Sequence, residues 1–294
     1  MFIDIHVHTR ALPGPPRNGK QTYATPEQLI ERYEPIGVES AVLLPGVSPE
    51  CSYAPQSSLE IVEVAGKYPE RFVPFCNIDP RAMTNSPDSP FDELLLFYKE
   101  RGCKGLGEIT ANLPFDDPMV RNLFKHCEAA GMPVTFHIGP SIGGCYGLYD
   151  EPGLPMLEKS LADFPELVFL GHSQPFWAEI AELESPGIRN TYPTGPVSVE
   201  GAVPRLMRRY PNLHGDLSAG SGHNALNRDP DYAARFMEEF QDRLYFGTDI
   251  CNPETPTPLV DFLLRMREEG RISEAVFAKI ARENAIRLLG LDLQ

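Results

Sequence analysis

The chain is short of positive charge. Its 294 residues hold 26 Lys and Arg against 41 Asp and Glu, a formal net charge of −15. Such a deficit leaves no broad basic face for a phosphate backbone, which argues against nucleic acid as a partner. Long apolar runs are missing too: no segment approaches the ~20 apolar residues of a membrane-spanning helix, so no membrane is expected. The opening "MFIDIHVHTR" has neither the basic start nor the unbroken apolar stretch of a secretory signal. Six cysteines, at 51, 76, 103, 127, 145 and 251, are scattered without a C-x-x-C pair. That spacing excludes a dense disulfide framework and suits reduced thiols in a cytoplasmic protein. No internal repeat or low-complexity tract is present, and no Gly-rich phosphate loop follows the first apolar run.

What is present has one rhythm. Short apolar runs at 2–8, 39–46, 72–79, 104–109, 133–139, 167–173, 213–218 and 244–250 alternate with amphipathic segments. Most of the runs are nearly continuously apolar, as parallel strands covered on both faces must be. Among the helical segments, "TPEQLIERYEPIG" offers Thr25 as N-cap, Pro26 at the first helical position and Gln28 to complete a capping box. The segment "SEAVFAKIARENAIRLLG" closes the chain. Strand–helix alternation repeated eight times predicts an α/β protein with a single (β/α)8 TIM barrel over 1–294. A doubly wound open sheet is the other architecture with this alternation, but it calls for the phosphate loop that is missing. Three long connections, roughly 9–25, 140–153 and 174–196, each follow a strand carboxyl end, the face on which such barrels build active sites.

The scarce polar residues of the strands fall at those same ends. Of only seven histidines, His6 and His8 end the first predicted strand, His137 the fifth and His172 the sixth; Glu108 ends the fourth and Asp249 the eighth. Residues two apart on a strand share a face. His6 and His8 therefore project together, and Glu108 and His172 each continue a face otherwise directed into the barrel. Six potential ligands converge on one mouth. Imidazole and carboxylate donors suit Zn²⁺ first and Mn²⁺ as an alternative, in contrast to oxygen-only cages for Mg²⁺ or Ca²⁺. An open position on such an ion lowers the pKa of bound water toward ~7.

This pattern resembles the amidohydrolase superfamily of metal-dependent barrel enzymes: H-x-H ending strand 1, histidines ending strands 5 and 6, Asp ending strand 8. Within it, "FIDIHVHTR", "VTFHIG", "FLGHSQPFW" and "YFGTDI" are similar to the branch containing aminocarboxymuconate-semialdehyde decarboxylase, as is the closing "FAKIARENAIRLLGL". The resemblance implies His6, His8, His137 and Asp249 as ligands of a first metal. It implies His172 as a second-metal ligand or a holder of water or substrate, and Asp249 as the general base. Many members bridge two metals with a carbamylated lysine at the end of strand 4. Here the strand-4 lysine is Lys104, four residues before the strand end, and Glu108 stands there instead. A similar "GEI" glutamate bridges two metals in TatD-type relatives, so both one and two ions fit the pattern.

Further candidates lie in the connections. Arg10 follows the metal-ligand pair, Trp177 follows His172, and His223 and Arg228 occupy the Gly-rich "SAGSGHNALNRDP" after strand 7. All four are candidates for substrate contact, with loop packing as the alternative for Trp177 and a solvated loop for His223 and Arg228. Tyr146, in the Gly-rich 140–153 loop, suits a mobile lid or packing. Cys251 reads as a buried, inert thiol, and His126 and His214 as structural. The activity expected is hydrolysis of a small carbonyl-type substrate (amide, lactone or ester) by a metal-activated water, with Asp249 and His172 catalytic. The alternatives are non-oxidative decarboxylation of an unsaturated or aromatic acid and, behind it, TatD-type phosphoester cleavage. The expected partners are a small-molecule substrate and, with nothing in the composition against it, further copies of the chain in a homo-oligomer.

Overall fold

The computed structural model describes residues 1–17, 19–51 and 54–292. Eight parallel strands form the centre: β1 (Phe2–Val7), β2 (Val38–Leu43), β3 (Phe72–Pro74), β4 (Leu106–Ile109), β5 (Val134–Gly139), β6 (Phe169–His172), β7 (Leu213–Asp216) and β8 (Leu244–Tyr245). Neighbours in sequence pair side by side, with Ala41 opposite Phe72, Leu106 opposite Val134, His137 opposite His172 and Gly215 opposite Leu244. Two single bridges complete the ring. Cys76 with Leu106 joins the β3 and β4 segments, and Val7 with Ile250 joins the chain beyond β8 back to β1. The Ile5 N–H donates to Phe246 O at 2.9 Å across the same seam.

The helices follow the expected signals. Thr25 caps the helix Pro26–Tyr33, and Gln28 returns the bond to the Thr25 N–H at 2.9 Å, completing the capping box. The helix Pro118–Ala130 starts on Asp117, whose carboxylate accepts from Met119 N–H at 2.8 Å, and stops at Gly131, φ 62. Among the described residues no helix is long and apolar enough to cross a membrane.

Two apolar layers position the site. Outside the strands, Phe115, Phe124, Phe136 and Phe169 pack edge to face, with ring centroids 5.0 Å apart for Phe115–Phe136 and 5.1 Å for Phe124–Phe169. A smaller buried cluster joins Ile3, Ile5, Val42, Leu44, Phe75, Leu170 and Tyr245. Ile3, Ile5, Val42 and Leu170 precede the ends of their strands, and the cluster forms an apolar floor beneath the polar groups.

The strands are shorter than their sequence runs suggest. Beyond the paired residues the backbone turns out of the β region, with Ser173 at φ 107 and Asp249 at φ 53. Such positive φ values in non-glycine residues are strained and re-aim the side chain. The segments expected as loops carry structure: the 174–196 connection opens with a short helix, Gln174–Ala178, and in the 140–153 connection Leu148 and Tyr149 pair with Ile138 and Gly139. The 9–25 connection contains an antiparallel hairpin, Gly14–Arg17 with Lys20–Thr22. "AGSGHNALN" is a helix, Ala219–Asn227, whose buried Ser221, Gly222, Ala225 and Leu226 let it seat closely on the barrel.

Candidate metal centre

The centre is built from β1 upward. His6 is fully buried, and its Nδ1 lies 2.6 Å from Asp216 Oδ2 at the end of β7. His8 places Nδ1 2.8 Å from Leu44 O. A carbonyl only accepts, so His8 Nδ1 carries the proton, and the carboxylate of Asp216 selects the same tautomer at His6. In their neutral forms, the ones a metal binds, both rings present a lone pair at Nε2, and the two atoms face each other at 3.1 Å. Two lone pairs directed at one point are the signature of ligands prepared for a shared cation, each oriented by an outer partner.

The carboxylates complete the ring of donors. Glu108 Oε2 lies 3.5 Å from His8 Nε2 and 3.7 Å from His6 Nε2, while its Oε1 accepts from His137 Nδ1 at 2.7 Å. Asp249 Oδ1 lies 3.4 Å from His8 Nε2 and 3.6 Å from His6 Nε2, and Oδ2 is 3.8 Å from His172 Nε2. His172 Nδ1 is 2.9 Å from Ser218 Oγ. All six residues singled out at the strand ends meet here. Donor atoms of His6, His8 and Glu108, of His6, His172 and Asp249, and of Glu108, His137 and His172 each fall within 4.8 Å of one another. His6, Glu108 and His172 each belong to two of these sets, so the residues fit a single ion or a bridged pair. Nitrogen and carboxylate donors of this kind suit Zn²⁺ or Mn²⁺.

The electrostatics carry the same message. Burial works against a charged His8, yet Asp249 and Glu108 beside it push the group up to about 9. His6 is also buried and is raised well above an ordinary imidazole by Asp216 and Glu108. Burial acts to raise Asp249, but the histidines around it hold the carboxyl down to about 2. His172 goes the other way, lowered to about 4 by burial and by His6. The centre is therefore anionic enough to draw positive charge into a dry pocket, while one imidazole stays neutral. A divalent cation answers that demand.

A cavity of about 420 Å³ opens above the centre, with His8, Glu108, His137 and Asp249 on its floor. Its walls include Arg17 and Lys20 from the hairpin, Tyr146, and the thiols of Cys51 and Cys251. Tyr146 stacks obliquely on His137, ring centroids 4.6 Å apart. The next residue must be glycine. Gly147 has φ 100, and a Cβ there would lie 2.7 Å from His137 Cδ2 and 2.7 Å from Gly139 N. Asn112 holds this loop by donating to Gly147 O at 3.1 Å and accepting from Gly143 N–H at 2.5 Å.

The four residues proposed to contact substrate do not line this cavity. Arg10 stands behind it, its guanidinium 5.8 Å from the Tyr23 ring centroid and donating to Ala54 O at 3.1 Å. Trp177 is buried in the core, where its Nε1–H donates to Asp216 O at 2.8 Å; its indole fills the space over Gly215. His223 points its ring at Phe262, centroids 5.9 Å apart. Arg228 donates to Gly195 O beside a separate hollow lined by the 178–199 segment. In each case another part of the fold takes up the side chain: a carbonyl for Arg10, Trp177 and Arg228, an aromatic ring for His223. His214 is structural as expected, its Nδ1 2.8 Å from Tyr245 OH, and His126 packs against Phe91.

Sequence reasoning passed over the supporting residues. Asp216 ends "LHGD" just as Asp249 ends its strand, a signal that was available; Ser218, two residues on, was not distinguished by any pattern. Asp4 is fully buried and accepts from His6 N–H at 3.0 Å, Thr248 N–H at 2.9 Å and Tyr33 O–H at 2.7 Å. It thereby ties both chain ends of the seam together.

Comparisons with known proteins agree with the geometry. A family profile described as amidohydrolase matches residues 3–291. No curated protein matches the chain by sequence. Among solved structures, an uncharacterized TIM-barrel protein from Bordetella bronchiseptica superposes with a TM-score of 0.66 at 19% identity, covering 98% of each chain. The 5-carboxyvanillate decarboxylase of Sphingomonas paucimobilis gives 0.60 at 18% identity, covering 99% of each. A probable 2-pyrone-4,6-dicarboxylic acid hydrolase from Acinetobacter baumannii gives 0.60 at 13% identity, again covering 99% of each. These likenesses are of fold, and the profile match over nearly the whole length decides the family: the chain belongs to the amidohydrolases.

Proposed function

We propose that the protein is a divalent-metal-dependent hydrolase of a small carbonyl-type substrate such as an amide, lactone or ester. The family is enzymatic and generally metal-dependent. The observation that carries the reading is the position of Asp249. It is the most open carboxylate of the set, 21% exposed by its side chain, while Glu108 is 6% and Asp216 is closed off. It meets the cavity as an ionised base. His6, His8, Glu108, His137 and Asp249 would hold the metal, with His172 beside them. When bound, the ion polarises a carbonyl oxygen and acidifies water. Asp249 takes up the proton that water loses and returns it to the leaving group. Neutral His172, steadied by Ser218, orients the oxygen on which charge develops. The cavity volume of about 420 Å³ suits a small molecule.

A second reading, non-oxidative decarboxylation of an unsaturated or aromatic acid, is favoured by one feature. Arg17 and Lys20 line the cavity wall, and although Lys20 also pairs with Glu254 at 2.8 Å, their charge favours a carboxylate there. In that reaction a proton replaces carbon dioxide on carbon, and water is not consumed.

The test uses zinc- or manganese-loaded protein against lactones, amides and esters, with carbon dioxide release from aromatic and unsaturated acids measured in parallel. Hydrolysis that disappears with chelator, and falls by about 10²- to 10⁴-fold in Asp249→Asn, supports the first reading. Carbon dioxide release without hydrolysis selects the second. Turnover that persists in metal-free, chelator-treated protein refutes both.

A further inference from the structure

The reaction above leaves Cys251 unused, although it lies where a ligand would. It is exposed to the cavity, and its Sγ is 3.3 Å from Asp249 Oδ1. Donor atoms of His8, Asp249 and Cys251 all fall within 4.8 Å of one another. Cys51 faces the same cavity. We propose that Cys251, Asp249 and His8 form a cavity-side position for a thiophilic divalent cation, cadmium or excess zinc, whose occupancy inhibits the enzyme. The proposal rests on the reading of the strand-end cluster as a metal centre.

The geometry supplies the reasons. Asp249 Oδ1 lies 3.3 Å from Cys251 Sγ, 3.4 Å from His8 Nε2 and 3.6 Å from His6 Nε2, while Oδ2 lies 3.8 Å from His172 Nε2, so an ion held by Cys251 draws on the same oxygen that faces the inner imidazoles. The inner donors are nitrogen and oxygen, of intermediate softness, whereas sulfur selects soft cations. On coordination the thiol proton is released to solvent and the sulfur binds as thiolate. The outer ion takes His8 and one oxygen of Asp249 from the inner set and stands in the cavity mouth. Filling it therefore disturbs the centre and obstructs substrate together. The thiol is not placed as a nucleophile, because the nearest imidazole, His8, already donates Nδ1–H to Leu44 O and directs Nε2 to the centre.

The experiment titrates Cd²⁺ into zinc-loaded protein while following thiolate-to-cadmium charge-transfer absorption in the near ultraviolet. One sulfur-bound cadmium per chain is expected, with Cys251 protected from iodoacetamide by peptide mass spectrometry. Cys251→Ser should lose the band and bind cadmium at least about tenfold more weakly; Cys51→Ser should keep the band. A missing band, a band that survives Cys251→Ser, or alkylation of Cys251 unaffected by cadmium overturns the proposal. The protection measurement is made on the wild-type chain, so it stands even if a variant misfolds. Failure to retain zinc before the titration overturns the metal-centre reading itself; retained zinc without a sulfur band overturns only the outer position.

Discussion

Replacing Asp216 by Asn tests the architecture of the centre without touching a ligand. The carboxylate is fully buried, 2.6 Å from His6 Nδ1 and 3.7 Å from His172 Nδ1, and its other oxygen accepts from Ser218 N–H at 2.9 Å. Asparagine keeps the volume and can keep the Ser218 bond, so the fold is expected to survive. What is lost is the negative charge that orients His6 and makes its Nε2 a better donor. Outer partners of metal-bound histidines are worth about 10- to 100-fold in metal affinity, or about 1.4–2.7 kcal/mol. An independent estimate agrees: a hydrogen bond to a charged group contributes about 1.5–3 kcal/mol net. Zinc affinity is measured by competition with a chromophoric chelator, and the fold by circular dichroism and thermal melting. D216N that binds zinc within about twofold of wild type, with an unchanged melting curve, would show that His6 needs no outer partner.

Three further outcomes follow from other parts of the structure. Gly147→Ala forces a Cβ to 2.7 Å from His137 at φ 100, so the variant should lose about 1–3 kcal/mol of stability and bind metal more weakly; a melt and zinc titration matching wild type would contradict this. His214 is held down to about 3 by burial, with Arg243 adding to it, against 6.5 for a free imidazole. The unfolded chain therefore binds that proton more readily, stability falls as pH drops from 6.5 toward 3, and His214→Gln should remove up to about 2 kcal/mol of the loss between about pH 7 and pH 5 in denaturant titrations. Arg17→Ala should raise KM about tenfold for carboxylate-bearing substrates with little change for neutral ones; equal effects on both would show that the hairpin only shapes the cavity.

Much of the centre was legible because strand geometry is local. The pairing of His6 with His8, and the placement of Glu108, His172 and Asp249 at strand ends, need only a two-residue period and the rule that barrel sites sit at carboxyl ends. Acidic balance, scattered thiols and the missing phosphate loop narrowed the class in the same way. The partners of those residues were not legible. That Asp216 braces His6, or that Asp4 gathers β1 and the 248 segment, depends on which strand ends become neighbours when the barrel closes, over separations of 210 and 244 residues. Trp177 and Arg228 show the converse: their chemistry permits substrate contact, but the packing of connecting segments turns one into the core and the other to a carbonyl. Local sequence thus determined the strands and the groups they would carry. Ring closure and loop packing, which balance long-range contacts against chain entropy, decided which groups meet and which side chains the cavity receives.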